Sequence, residues 1–243
     1  MSGFRRSLVP PLFTAAVMLF CIGLGVWQIE RLQWKRGLIA ERETALAAPP
    51  VAPPRTLAEA HALQFRRVVA EGAFLHNREI LRIAAGPSGG SGFEVLTPLR
   101  EPDGRVVFIN RGFVPIARKD PAARAVGQVS GTVQIGGLLR LPPAAKPGWF
   151  VPDNRPDANH WFWIDLNAMA AAEGLTSVAP FYIDADATPN PGGWPKGGAS
   201  LAPLRNDHLQ YAITWFSLAV AALVIYLLSQ RRSGRGDDRI PRA

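Results

Sequence analysis

The chain has 243 residues, 48% of them hydrophobic, with 27 Lys and Arg against 19 Asp and Glu and a single cysteine. One cysteine excludes an intramolecular disulfide, so any exported part of the chain must stand on its own core. The formal net charge of +8 is not gathered into a basic stripe interleaved with aromatics, which argues against nucleic acid as a partner.

From Ser7 to Ile29, 23 residues pass without a Lys, Arg, Asp or Glu, enough for a helix to cross the hydrocarbon core. Pro10 and Pro11 fall in the first turn, where proline is tolerated, and Trp27 sits near the far end as an interfacial anchor would. Arg5 and Arg6 give a basic start, as in a cleavable signal. The Ala45-x-Ala47 pattern, however, lies beyond Glu30, Arg31, Lys35, Arg36 and Glu41, too far from the apolar run for a signal peptidase site. The expectation is a retained transmembrane helix over residues 8–29. Leu32, Trp34, Leu38, Ile39 and Leu46, spaced among charges, predict a helical extension over 30–48 that ends at AAPPVAPP.

Short runs of strand character follow: 65–74, 79–84, 92–99, 105–115, 131–141 and 179–186. They are separated by turn chemistry such as Pro102-Asp103-Gly104. One short helix is predicted over 165–174, with Asp165 as its N-cap and Gly174 as its stop. The expected fold class is two transmembrane α-helices flanking an exported α+β domain, residues 55–200, dominated by antiparallel β-strands.

Within that domain GPSGG (86–90) fits the nucleophile pattern G-x-S-x-G around Ser88, yet a strand follows it where a nucleophile elbow needs a helix. A hairpin loop is the expectation. There is no Walker loop, no H-E-x-x-H and no paired-cysteine spacing for zinc. His61 and His76 stand alone; His160, in NHWFW, is expected to pack among aromatics. Asp153/Asp157 and Asp184/Asp186 suit turns. In INRGFVP (109–115) the Arg-Gly pair predicts a sharp bend, with Arg111 buried against a carboxylate.

The second apolar run, from Leu209 to Gln230, has 22 residues without a charge and predicts a transmembrane helix over 209–229. Arg231, Arg232, Arg235, Arg239 and Arg242 fall in a basic tail over 230–243, which places both termini in the cytoplasm and the central domain outside. The entry to this helix, RNDHLQYAITWF, is more polar than an anchor needs. On a helix His208, Tyr211 or Ala212, Trp215 and Ala219 share one face. Gln210, Thr214 and Ser217 form a stripe expected to meet the first span, where Trp27 and Gln28 lie at matching depth and Gly23 and Gly25 allow close approach. Two readings stay open: an interfacial hydrogen bond by His208, or a flat apolar ligand anchored by its imidazole, for which haem is the leading candidate.

GLGVWQIERLQWKRGLIAE, FRRVVAEGAF, INRGFVP, VPDNRPDANHWFWIDLNAMA and LRNDHLQYAITWFSLA resemble, in content and order, segments of the Surfeit locus protein 1 family, from about residue 23 to residue 219. The resemblance implies two membrane helices flanking an exported domain and a non-enzymatic role in assembling cytochrome c oxidase, with haem a supplied to its catalytic subunit. Asn206, His208, Leu209, Gln210 and Tyr211 match the family's Asn-x-His-Leu-Gln-Tyr motif, which implies His208 as a ligand of haem iron. Tyr211, Trp215, Trp27 and Gln28 are expected around that ligand, with Arg205 or Arg31 near its propionates. The partners implied are the oxidase catalytic subunit, the enzymes that supply haem a, and membrane lipid. Eukaryotic members carry a mitochondrial extension, and the short segment before the first span favours a bacterial inner membrane with a periplasmic domain. Two rival classes are a cofactor-free structural chaperone of oxidase subunits and a membrane-anchored hydrolase using Ser88.

Overall fold

The computed structural model describes residues 8–86, 89–201 and 206–236. In chain order the elements are α1 (Val9–Ala47), α2 (Leu57–Ala62), β1 (Arg67–Phe74), β2 (Ile80–Ala85), β3 (Ser91–Arg100), β4 (Val106–Pro115), β5 (Thr132–Arg140), α3 (Leu166–Ala172), β6 (Val178–Ala185) and α4 (His208–Gly236). They form two units: a helical one from residues 1–41 and 204–243, and a β-rich one from residues 42–203.

In the helical unit both helices are long and apolar enough to cross a membrane. Leu12, Phe13, Leu19, Phe20, Leu218, Val220, Ile225 and Leu228 all point outward. Such an apolar exterior suits lipid as solvent and would be a liability in water. What is buried is narrow: Cys21, Gly25, Gln28 and Leu32 recur at helical spacing along α1, and Ala212 and Ala219 are seven apart on α4. Small residues on both helices let the backbones approach, which is the principal attraction available where no water is displaced. At Gly25 a Cβ would come within 2.7 Å of the Phe216 ring, whereas Gly23 has open space around it. The close approach therefore rests on Gly25. Gln210, Thr214 and Ser217 lie on the exposed side of α4, and the Thr214 hydroxyl donates back to the Gln210 carbonyl at 2.9 Å. The expectation that this stripe meets the first span is thereby corrected: a hydroxyl satisfied within its own helix needs no partner across the pair.

The β unit is a closed barrel. The sheet runs β1-β5-β6-β4-β3-β2, and a further pairing of β1 with β3, through Ala73↔Arg100 and Phe74↔Leu99, closes five of the strands into a ring with β2 on its outside. All pairs are antiparallel except β4 with β6. A ring with an odd number of strands cannot alternate in direction all the way round, so closure itself demands one parallel contact. Every second residue points inward, as a barrel requires: Val68 and Ala70, Leu99, Val107 and Ile109, Leu139, Phe181 and Ile183 form the interior, with Ala60 of α2 packed against them. The helix α2 was not anticipated from the sequence, although Thr56 and Glu59 form a complete capping box at its start. Outside the barrel, Ile80, Leu96, Phe108 and Tyr182 are covered by Trp161, Ile164, Leu166 and Met169. The helix α3 supplies the last two. Asp165 caps it by accepting from the Ala168 amide at 3.0 Å, and Gly174 follows it at φ +59°.

The bend expected in INRGFVP is a bulge within a continuous strand. Between Glu94↔Phe113 and Leu96↔Asn110, Val95 opposes both Arg111 and Gly112. Gly112 has φ +109°, and a Cβ there would lie 1.9 Å from the Lys196 carbonyl oxygen. That oxygen accepts from the Phe113 amide, and the Phe113 oxygen accepts from Lys196 in return. Gly112→Ala should therefore destabilise the domain by about 2 kcal/mol or more, since both the positive φ and a backbone clash must be relieved. Urea unfolding followed by tryptophan fluorescence measures it, and an unchanged midpoint would show that the 194–198 segment yields freely.

Candidate functional site

In the helical unit a polar residue at the entry to α4 meets α1. His208 opens α4, and its Nδ1 lies 2.7 Å from Oε1 of Gln28. Gln28 is 8% exposed, so its carbonyl has no water to turn to. Because the partner atom is a carbonyl oxygen, Nδ1 carries the proton and donates it. In the tautomer with its proton on Nδ1, the lone pair lies on Nε2. This is the arrangement by which a neighbouring acceptor orients an imidazole for a metal, fixing the tautomer and raising the basicity of the free nitrogen. Two residues before His208, the buried Oδ1 of Asn206 makes no hydrogen bond.

The other residues expected here are placed as follows. Trp215 is half-buried and meets Phe20 edge to face, with ring centroids 6.2 Å apart. Trp27 and Tyr211 are each about half exposed, at 52% and 56%, and Ala212 takes the buried position beside Tyr211. The Arg31 guanidinium lies 3.8 Å over the Trp34 ring. Arg205 lies outside the described residues, as does Ser88. The flanks of Ser88 form an antiparallel hairpin, Ala85↔Ser91, closed by a Gly86 amide to Gly90 carbonyl bond of 2.6 Å.

The β unit holds a buried polar network of its own. Glu79 accepts from both ends of the Arg124 fork, at 3.1 and 2.7 Å, and from the Thr97 hydroxyl at 3.2 Å. Arg111 approaches the same carboxylate at 3.6 Å, and His76 lies at the same distance. Burial alone would raise Glu79, but His76 and the two arginines outweigh it and hold its carboxyl at about 2. Burial and the neighbouring Arg124 pull Arg111 down to about 10, with Glu79 opposing, so it stays charged at neutral pH. The burial of Arg111 against a carboxylate, anticipated from INRGFVP, thus finds its partner in Glu79. His160 stacks on Phe93 at 6.3 Å.

A second buried cluster was missed. Asn110 donates to both Glu94 and Asp184, at 3.0 and 2.8 Å. Ser200 donates to Asp184 and Arg82 to Glu94. Desolvation raises Asp184 above the ordinary range despite these donors. The reading of Asp184/Asp186 as turn residues holds for Asp186, which accepts from the Thr188 amide at 2.9 Å. It is corrected for Asp184, which is 7% exposed. Its place in β6 gave the signal, since Tyr182 and Asp184 share a face at period two.

Together these features define a closed β-barrel domain carried between two helices long and apolar enough to span a bilayer. A model of the SURF1 family matches residues 15–220, which takes in the whole barrel, most of α1 and the first part of α4. The chain belongs to the SURF1 family. It is similar to a SURF1-like protein of Monosiga brevicollis, 40% identical over 90% of this chain and 87% of the relative. It is similar also to Surfeit locus protein 1 of mouse, 38% identical over 88% of this chain and 73% of the relative, and of human, 39% identical over 84% and 72%.

Proposed function

We propose that this protein is a membrane-anchored, non-enzymatic assembly factor for cytochrome c oxidase, whose helix pair holds haem a transiently through His208 and passes it to the oxidase catalytic subunit. The observation that carries the reading is the His208–Gln28 contact of 2.7 Å, which presents Nε2 as a free imidazole donor at the end of an apolar helix pair. The surroundings suit a flat apolar group: Trp27, next to Gln28 in the sequence, and Tyr211, one turn after His208, are each about half exposed, and an unpaired Asn206 oxygen lies two residues before His208. Haem bound there would contribute an iron centre with one protein ligand. A single ligand favours release over storage, as a delivery role requires. Arg205 or Arg31 is the cation proposed for its propionates.

Purification from cells that make haem a, followed by an absorption spectrum, tests the reading. The expected result is a haem a pigment that co-purifies with the protein. A colourless protein that still restores oxidase assembly would overturn it in favour of a structural chaperone. The hydrolase reading finds no support, because the strands flanking Ser88 form a hairpin where a nucleophile elbow needs a helix.

The topology follows from the arginines after Leu228, which we place in the cytoplasm, with the barrel on the far side of the membrane and close to an oxidase partner. A reporter active only outside the cytoplasm should be silent when fused after Ala243 and active when inserted at the exposed Gly104 turn. The reverse pattern would invert the assignment.

A further inference from the structure

One mouth of the barrel holds two buried arginines against one buried carboxylate. Arg111 and Arg124 share the single carboxylate of Glu79. Arg124 engages both of its oxygens, at 3.1 and 2.7 Å, leaving Arg111 at 3.6 Å, beyond hydrogen-bonding distance. Arg111 is 2% exposed. Its Nη2 donates to the Gly127 carbonyl and to Oδ1 of Asn190, while its Nε and Nη1 are buried and make no hydrogen bond. His76 cannot supply the missing negative charge, because an imidazole is neutral or cationic; its Nε2 lies 2.9 Å from the Val129 carbonyl oxygen, to which it donates. The Phe74 ring, 4.7 Å away, offsets part of the charge through its π-face. A buried guanidinium with unused donors carries a desolvation penalty that an anion would relieve.

Arg111 also lines a cavity of about 180 Å³, whose walls include Phe74, Val133, Ile135 and Pro191. Asp186 is on the wall too; its Oδ1 accepts from the Thr188 amide, and among the described residues it makes no ion pair with Arg111. At ~30 Å³ per water, the space amounts to about six water-sized groups. We propose that this mouth binds a carboxylate carried on a short aliphatic chain, its head on Arg111 and its chain against Phe74, Val133 and Ile135. The planar guanidinium fork matches a carboxylate, and the apolar walls add contacts that a chloride or phosphate ion cannot use.

Titration calorimetry on the full-length protein in detergent tests the proposal with butyrate, glutarate and blocked glutamate, against chloride and phosphate at matched ionic strength. Saturable binding of the carboxylates alone is expected. Tighter binding of blocked glutamate than of the free acids would assign the source to an acidic side chain of a partner protein; the reverse order would assign it to a small metabolite. Either supports the site. Arg111→Lys, which loses the fork, should weaken binding about tenfold or more. Asn190→Asp places a carboxylate on Nη2 from within and should abolish the response; it gives up the Nδ2 bond to the Pro195 carbonyl at 2.6 Å, but Asn190 lies outside the hydrophobic core, so the variant remains informative if Arg111→Lys fails to fold. Absence of carboxylate binding, an equal response to chloride and phosphate, or unchanged binding by Asn190→Asp would each overturn the proposal.

Discussion

Glu79→Gln should destabilise the barrel domain by about 3–5 kcal/mol, the cost of leaving buried charge without its counter-ion. Glutamine keeps the shape and one acceptor but removes the carboxylate that, among the described residues, pairs with both Arg124 at 2.7 Å and Arg111 at 3.6 Å. All three side chains are nearly inaccessible, at 1 to 4% exposed, so water cannot take over. Removing one of the two cations as well, in Glu79→Gln/Arg111→Met, should recover part of the loss, because the singles share a partner and cannot add independently. The pH dependence has a definite sign. Glu79 sits at about 2 in the folded protein against 4.5 for the free side chain. Its contribution, on the order of 3 kcal/mol, is fully present above about pH 4.5 and is lost as pH falls towards 2. Asp184, raised by burial, acts in the opposite direction, gaining stability as it takes up its proton above its ordinary range. The wild type should therefore lose stability most steeply below pH 4, and Glu79→Gln should be flatter there. Denaturant midpoints between pH 3 and 7 measure both effects. A loss below ~1 kcal/mol would show that the arginines find other partners.

The same network shows which features a one-dimensional reading reaches. The strands were legible because period-two alternation and Gly/Pro turns are local signals: Val107 and Ile109 face the barrel interior on either side of Phe108, which faces out. The closure of β1 on β3 and the parallel contact of β4 with β6 were not, because pairing between distant strands depends on register that no local run encodes. Arg111 was expected to be buried against a carboxylate, since Arg-Gly after an apolar strand is a local pattern. Its partner was not identified, because Glu79 reads from the sequence as an ordinary charge at the start of a strand and Arg124 lies 45 residues further on. Asp184 was misread for a related reason: a carboxylate at the end of a strand looks like a turn former until Asn110, 74 residues away, is placed beside it. Gln28 and His208 are 180 residues apart, yet depth in the membrane is a coordinate the sequence does supply. Counting from each helix end brought them to one level.

His208→Ala should leave the helix pair formed and the barrel folded while bound haem falls sharply. The packing that joins the helices lies elsewhere, in Cys21, Gly25, Ala212 and Ala219, and none of these is altered. Alanine also suits a helix start at little cost in propensity. The variant that separates a ligand from a structural contact is His208→Gln. Glutamine can still hydrogen-bond with Gln28 but is a poor ligand for iron, so haem should be lost as in the alanine variant. If the contact served only to pair the helices, glutamine would restore function instead. Gln28→Leu probes the same geometry from the other helix. It keeps His208 but removes the acceptor, at 2.7 Å, that holds its tautomer, and should weaken haem binding about 10–100-fold rather than abolish it. Haem content per purified protein and the amount of haem-loaded oxidase in the same cells are the readouts. Alanine and glutamine near zero with leucine between them and wild type is the order expected of an oriented axial ligand. Unchanged haem content in His208→Ala would remove the assignment, leaving the His208–Gln28 bond as a helix-pairing contact.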